Sequence, residues 1–208
     1  MYLSPRMINE IISVNTSEQF DTEAASCKDI FIKKMSDYGN AWRVLRVSSL
    51  TDQVFIKAQR IRTIDETGEQ KVEDGIVSEF MGIVNYAVIA LIQLELGSHN
   101  GQSMPAMESE FVLSHFDKHI AEAKRLMTNK NHDYGEAWRK MRTSSFTDLI
   151  LMKLMRVRQI EDHDGKTIAS EGIAANFYDI INYAIFALIK LSESEPNTNN
   201  SRLPDGQG

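Results

Sequence analysis

A seven-residue stretch occurs twice in this chain. Asp37-Tyr38-Gly39-Asn40-Ala41-Trp42-Arg43 returns as Asp133-Tyr134-Gly135-Glu136-Ala137-Trp138-Arg139, identical at six of seven positions. At the same offset of 96, Arg46-Val47-Ser48-Ser49-Leu50-Thr51-Asp52 is answered by Arg142-Thr143-Ser144-Ser145-Phe146-Thr147-Asp148, and Lys57, Arg60, Arg62 and Ile64 by Lys153, Arg156, Arg158 and Ile160. The chain is a tandem duplication. A period this long, seen twice, describes two copies of one small unit; a solenoid needs several shorter repeats to close its core. Units of about 80 residues have marginal cores. The copies are therefore expected to pack on each other about a pseudo-twofold axis, as the subunits of a dimer do, with a further homo-oligomer left open.

Helical spacing dominates. Phe20, Ala24, Cys27, Ile30 and Phe31 define a first helix over 20–35, answered by Phe116, Ile120, Ala123 and Met127. Gly39 and Gly135 stand where a turn or a close approach demands a missing side chain. Ser49-Leu50-Thr51-Asp52 and Ser145-Phe146-Thr147-Asp148 read as capping boxes opening a second helix in each copy. A third, strongly apolar helix is predicted over 72–96 and 169–191, with a loop one residue longer before the second of these, so that the offset becomes 97. No alternating strand pattern occurs. The fold class is all-α, a helical bundle of two repeats, divided as an N-terminal arm (1–19), a first unit (20–96), a linker (97–112), a second unit (113–193) and a polar tail (194–208) expected to be disordered.

Charge narrows the function classes. The chain carries −6 overall, yet residues 33–62 carry +5 and residues 129–158 carry +4. Cations gathered on the repeat within an acidic remainder suit a compact anion and disfavour duplex nucleic acid. No run of about 18 apolar residues and no basic-then-apolar N-terminus occurs, so a cytoplasmic chain that does not enter the membrane is expected. The single cysteine, Cys27, opposite Ala123, reads as a small packed thiol.

Three constellations could carry chemistry. The first is the cation set: Lys34, Arg43, Arg46, Lys57, Arg60 and Arg62, repeated as Lys130, Arg139, Arg142, Lys153, Arg156 and Arg158. Lys57 and Arg60 lie three apart on one helix face and, with Lys153 and Arg156, suit a phosphate held by charge-assisted hydrogen bonds; a solvated, ion-paired face has the same pattern. The second is Asp37 and Tyr38 with Trp42, and Asp133 and Tyr134 with Trp138. Such rings stack on nucleobases while an acid accepts from an amino group, and they also fill cores. The third is a polar stripe on the third helix: Asn176, Asp179, Asn182 and Tyr183, against Glu79, Gly82, Asn85 and Tyr86. Polar groups facing a bundle interior require partners, from the protein or from a ligand. His115 and His119 have a metal-compatible spacing, but Gln19 and Glu23 replace them in the first copy and no further His or Cys lies near in sequence. No phosphate-cradling glycine loop, nucleophile elbow or Cys-x-x-Cys is present.

The string Lys-(x)2-Asp-Tyr-Gly-x-Ala-Trp-Arg-(x)2-Arg-x-Ser-Ser-x-Thr-Asp-(x)4-Lys-(x)2-Arg, at 34–60 and 130–156, resembles the nucleotide modification associated domain 1 family over roughly residues 20–193. The resemblance implies a bacterial protein linked to nucleotide metabolism or base modification, with no established activity. A weaker likeness is to the all-α nucleotide pyrophosphatases of the MazG type, which hold magnesium with paired carboxylates on successive helices. It places Asp179 on that family's aspartate and Asn176 on its glutamate, with Glu79 and Gly82 at those places in the first copy. This likeness implies a magnesium cofactor with Glu79, Asp148 and Asp179 as the candidate ligands. The expectation is a nucleotide or similar phosphorylated ligand held between the copies, with a magnesium-dependent pyrophosphohydrolase-like activity on nucleoside triphosphates as a secondary expectation. The alternative is an interaction module without catalysis.

Overall fold

The structure is a computed structural model that describes residues 5–71, 74–97, 108–163 and 171–194. Its first helix, α1 (Pro5–Tyr38), is continuous. Pro5 opens it at the position where a missing N–H costs nothing, and no glycine or second proline interrupts it. The expected arm is thus, from Pro5 on, nearly the first half of α1. The buried stripe Thr16, Phe20, Ala24, Cys27 and Phe31 runs through the supposed boundary at 19 without a break in spacing.

Gly39 ends α1 with φ +58°, its N–H on the Met35 carbonyl at 2.8 Å. Gly135 ends α4 (Ser109–Tyr134) in the same way, on Asn131 at 2.9 Å. A left-handed residue after the last turn satisfies an orphan carbonyl and favours glycine. Short 3₁₀ helices follow at Ala41–Val44 and Ala137–Lys140. Next come α2 (Val47–Thr67) and α3 (Ile76–Leu96) in the first half, and α5 (Thr143–Asp162) and α6 (Ile173–Ser194) in the second.

Boundaries shift from the sequence expectation for local reasons. The second helices start two residues early, because the chain leaves each 3₁₀ helix extended and Arg46 or Arg142 stands at the N-cap with no side-chain cap bond. Ser49 and Ser145 therefore lie inside the first turn, and the capping boxes do not form. Gly75, also extended, delays α3 to Ile76. Ser109 to Val112 open α4 and do not belong to the linker. The rest of the linker from 98 to 107, the lengthened loop at 164–170 and the tail from 195 lie outside the described residues.

The strongly apolar α3 and α6 lie side by side at the centre. α2 packs along α3 and α5 along α6, α2 meets α5, and α1 and α4 flank the pair. Each helix thus touches its own counterpart. The ion pairs show the pseudo-twofold at residue level. Lys28 meets Asp117 while its counterpart Lys124 meets Asp21, each at 2.6 Å. Arg158 meets Asp52 at 2.7 Å while Arg62 approaches Asp148 at 3.9 Å. Such reciprocity marks an isologous interface. Five phenylalanines, Phe20, Phe80, Phe116, Phe146 and Phe177, are wholly buried in one shared core. α3 and α6 are long and apolar enough to cross a membrane, but 67% of each is buried within the bundle, as suits central helices. Cys27 is a buried free thiol, as expected; burial and the nearby Glu23 charge push its pKa up to about 12.

Candidate functional site

Each repeated motif is pinned to the central helix of its own half. In the first, the Gln93 amide donates to the carbonyls of Arg43 (3.0 Å) and Leu45 (2.6 Å), and Arg43 donates to the Gln93 oxygen. In the second, Lys190, the counterpart of Gln93, donates to the Arg139 carbonyl at 2.7 Å. Arg139 donates to Glu136 (2.7 Å), Glu193 (3.0 Å), Thr16 and Gln19. Thr16 also donates to Glu136 at 2.7 Å. The start of α1 thus closes over the second motif. Arg43 and Arg139 serve as latches, and burial lowers the Arg43 pKa.

In each half one buried carboxylate pairs with two cations, from positions one helical turn apart. In the first half Glu79 takes Lys57 (3.1 Å) and Arg60. In the second, where Asn176 replaces Glu79, Asp179 takes Lys130 and Lys153, each at 2.5 Å. Burial opposes the Lys130 charge, but the bond to Asp179 and the charges of Asp179, Tyr183 and Glu171 outweigh it and raise the pKa. Asp179 corresponds to Gly82. A Cβ on Gly82 would lie 2.6 Å from the Lys57 Cε, so the missing side chain is the space through which Lys57 reaches Glu79. Lys34, the counterpart of Lys130, consequently has no partner among the described residues and is exposed.

Beside Lys34 lies a cavity of about 160 Å³, walled by Phe31, Met35, Trp42, Tyr86 and Ile89, with Tyr38, Gly82 and Asn85 completing the lining. Lys57 Nζ stands 5.9 Å from the Tyr86 ring centroid. The Asn85 amide donates to the Cys27 carbonyl at 3.0 Å, which leaves Oδ1 as its acceptor. That oxygen and the Trp42 indole N–H are both buried without a bonded partner. In the second half larger side chains stand at two of the corresponding positions. Phe186 replaces Ile89 and stacks on Trp138 at 4.2 Å with the rings 5° from parallel, and Asp179 replaces Gly82. Glu136, in place of Asn40, is buried at φ +57°, a strained setting for a non-glycine residue, held by its bonds to Thr16 and Arg139.

Residues 34–94 and 130–191 each match the family model for nucleotide modification associated domain 1. The chain belongs to that family. Both matched segments of this nucleotide modification associated domain 1 chain begin on the Lys34 and Lys130 pair and run to the ends of α3 and α6. The family match thus covers the motif with its second and third helices; the residues of α1 that lock the second copy lie outside the matched segments. No curated protein and no solved structure matches the chain.

The remaining expected site residues fall apart. Tyr38 and Tyr134 are 73% and 74% exposed, so packing does not explain them, while Trp138 is core and Trp42 is half-buried on the cavity wall. Asp37, Asp133, Arg46, Arg142 and Arg156 are exposed. Of the expected cations, Lys34 lines the cavity beside Trp42, and Arg60 lines a second hollow with Thr63, Ile64, Thr67, Glu69 and Lys71, both within the first half. Asn182, the counterpart of Asn85, is buried with its amide unbonded. Glu79 and Asp179 are each held by two cations, and the exposed Asp148 faces Arg62. Three separated and cation-paired carboxylates do not fit a magnesium cluster, which needs several free oxygens around one point. Gln93, Lys190, Glu136 and Thr16 were not anticipated. A polar residue at matched positions of two apolar helices was the available signal for the first two.

Proposed function

We propose that the first half binds a nucleotide or a similar phosphorylated small molecule, its ring in the aromatic cavity and its phosphate on Lys34, while the second half is the structural copy. What supports this reading is one asymmetry. At the same place in the two copies, Gly82 leaves a lysine unpaired beside an open aromatic pocket, whereas Asp179 pairs with the matching lysine and Phe186 stacks on the matching tryptophan. A void of roughly 150 Å³ admits a benzene ring, so about 160 Å³ accommodates one ring of a base, with sugar and phosphate at the mouth.

The test is thermal unfolding with purine and pyrimidine mono-, di- and triphosphates. A ligand at a hundredfold its Kd adds about 2.7 kcal/mol, or roughly 5–11 °C in a chain of this size. Gly82→Asp, which rebuilds the second copy's clamp on Lys34, and Trp42→Ala abolish the response. Wild-type protein that answers none of the panel refutes the proposal. One observation favours a second reading, a docking module for a protein: both motifs expose a tyrosine, Tyr38 and Tyr134, and an arginine, Arg46 and Arg142, residue types enriched at interfaces.

A further inference from the structure

The two histidines that sequence spacing alone did not support acquire a third group from the fold. His115 and His119 lie on successive turns of α4, and the end of α3 brings Glu95 to both. The His119 Nε2 is 3.3 Å from one Glu95 carboxylate oxygen, and the His115 Nε2 is 3.9 Å from the other. The far nitrogen of each ring is already engaged: Nδ1 of His115 lies 2.9 Å from the Phe111 carbonyl, and Nδ1 of His119 lies 2.9 Å from the Tyr178 hydroxyl. A proton on Nδ1 leaves Nε2 as a lone pair, the tautomer and orientation that outer partners impose on metal-binding histidines. His119 is 5% exposed, and its Nε2 has no hydrogen-bond partner.

Ligand atoms about 2.1 Å from a tetrahedral ion stand roughly 3.4 Å from one another. The separations of 3.3 and 3.9 Å are close to that spacing. As the side chains stand, no group of three such residues among the described residues is placed to hold an ion, so binding requires side-chain rotation. Here the Lys118 ammonium holds the positive place, 2.6 Å from Glu95, on a side chain that is 61% exposed and free to swing away. The first copy has nothing comparable: Gln19, Glu23 and Ser192 occupy the three positions.

We propose that His115, His119 and Glu95 form a binding site for a divalent transition metal such as zinc, with Lys118 as the cation it displaces. Two imidazoles and one carboxylate leave a fourth position for water. The site joins α3 of the first half to α4 of the second, so an occupied site ties the copies together.

The test uses cobalt(II) as a spectroscopic probe and zinc(II) in titration calorimetry on the full chain at pH 7.5. The expected result is one ion per chain, with visible d–d absorption. His115→Gln, which installs the first copy's residue at a partly buried position, and Glu95→Gln weaken binding at least tenfold. Lys118→Ala tightens it. Wild-type protein that binds neither ion, or affinity unchanged by both His115→Gln and Glu95→Gln, overturns the proposal. Circular dichroism of each variant shows that it is folded, so that loss of binding is read against an intact bundle.

Discussion

Asp179→Asn removes one charge, keeps the side-chain shape and tests whether the central carboxylate holds the second half together. Two lysines lose their counter-ion, and their exposure sets the cost. The Lys130 side chain is 53% exposed, so water screens it and its share is small. The Lys153 side chain is 8% exposed, and Asp179 is its partner at 2.5 Å. Removing one member of a buried pair costs about 3–5 kcal/mol, most of it the stranded charge. An asparagine oxygen still accepts one bond, which places the loss near 3 kcal/mol. In a chain of this size that lowers the Tm by roughly 6–12 °C. Glu79→Gln is the internal comparison. Its partners Lys57 and Arg60 are 23% and 26% exposed in their side chains, so its loss is smaller. Replacing the pair by apolar groups, Lys153→Met with Asp179→Leu, restores most of the stability, since such exchanges are often neutral or better. Thermal and urea unfolding followed by circular dichroism at pH 7 give the values. A Tm change under 2 °C for Asp179→Asn means that Lys153 finds water in the native state, and the clamp reasoning fails.

Two further outcomes follow from the same geometry. Trp138→Ala costs about 3–5 kcal/mol, as for a buried aromatic, because Trp138 is 6% exposed and stacked on Phe186; Trp42→Ala, on a cavity wall, costs less than half of that, and urea midpoints distinguish the two. For pH, the His119 pKa is depressed in the folded state, chiefly by burial. The unfolded chain therefore takes up that proton first, and this contribution is intact above about 6.5 and lost as pH falls below it. Glu23 and Glu161, raised mainly by burial, act oppositely: their contribution is greatest at low pH and declines as pH rises above about 4.5. Urea midpoints from pH 5 to 8 decline toward the acid end in wild type and flatten in His119→Gln; an unchanged slope in the variant contradicts the assignment.

The local pattern was enough for the helices. Spacings of three and four placed all three helices of each half, and the left-handed turns at Gly39 and Gly135 follow from needing no side chain at φ +58°. The repeat was enough for the pseudo-twofold, because identical surfaces that must bury apolar area pair with themselves. Helix starts were less legible. Ser49 and Asp52 have the letters of a capping box, but the chain enters α2 from an extended Arg46, a backbone choice made by the preceding 3₁₀ helix.

Charge pairing was not legible at all. Lys57 and Lys153 occupy matched positions, and the residues that neutralise them sit one turn apart on α3 and α6, so only packed helices reveal which acid meets which base. The open cavity is likewise tertiary. It depends on Gly82 and Ile89 lying opposite Trp42, where the second copy sets Asp179 and Phe186 against Trp138. Sequence periodicity describes a helix and the face it buries, because both are local properties of the chain. What a face meets depends on groups far away in sequence, and there two nearly identical motifs became one open pocket and one stacked pair of rings.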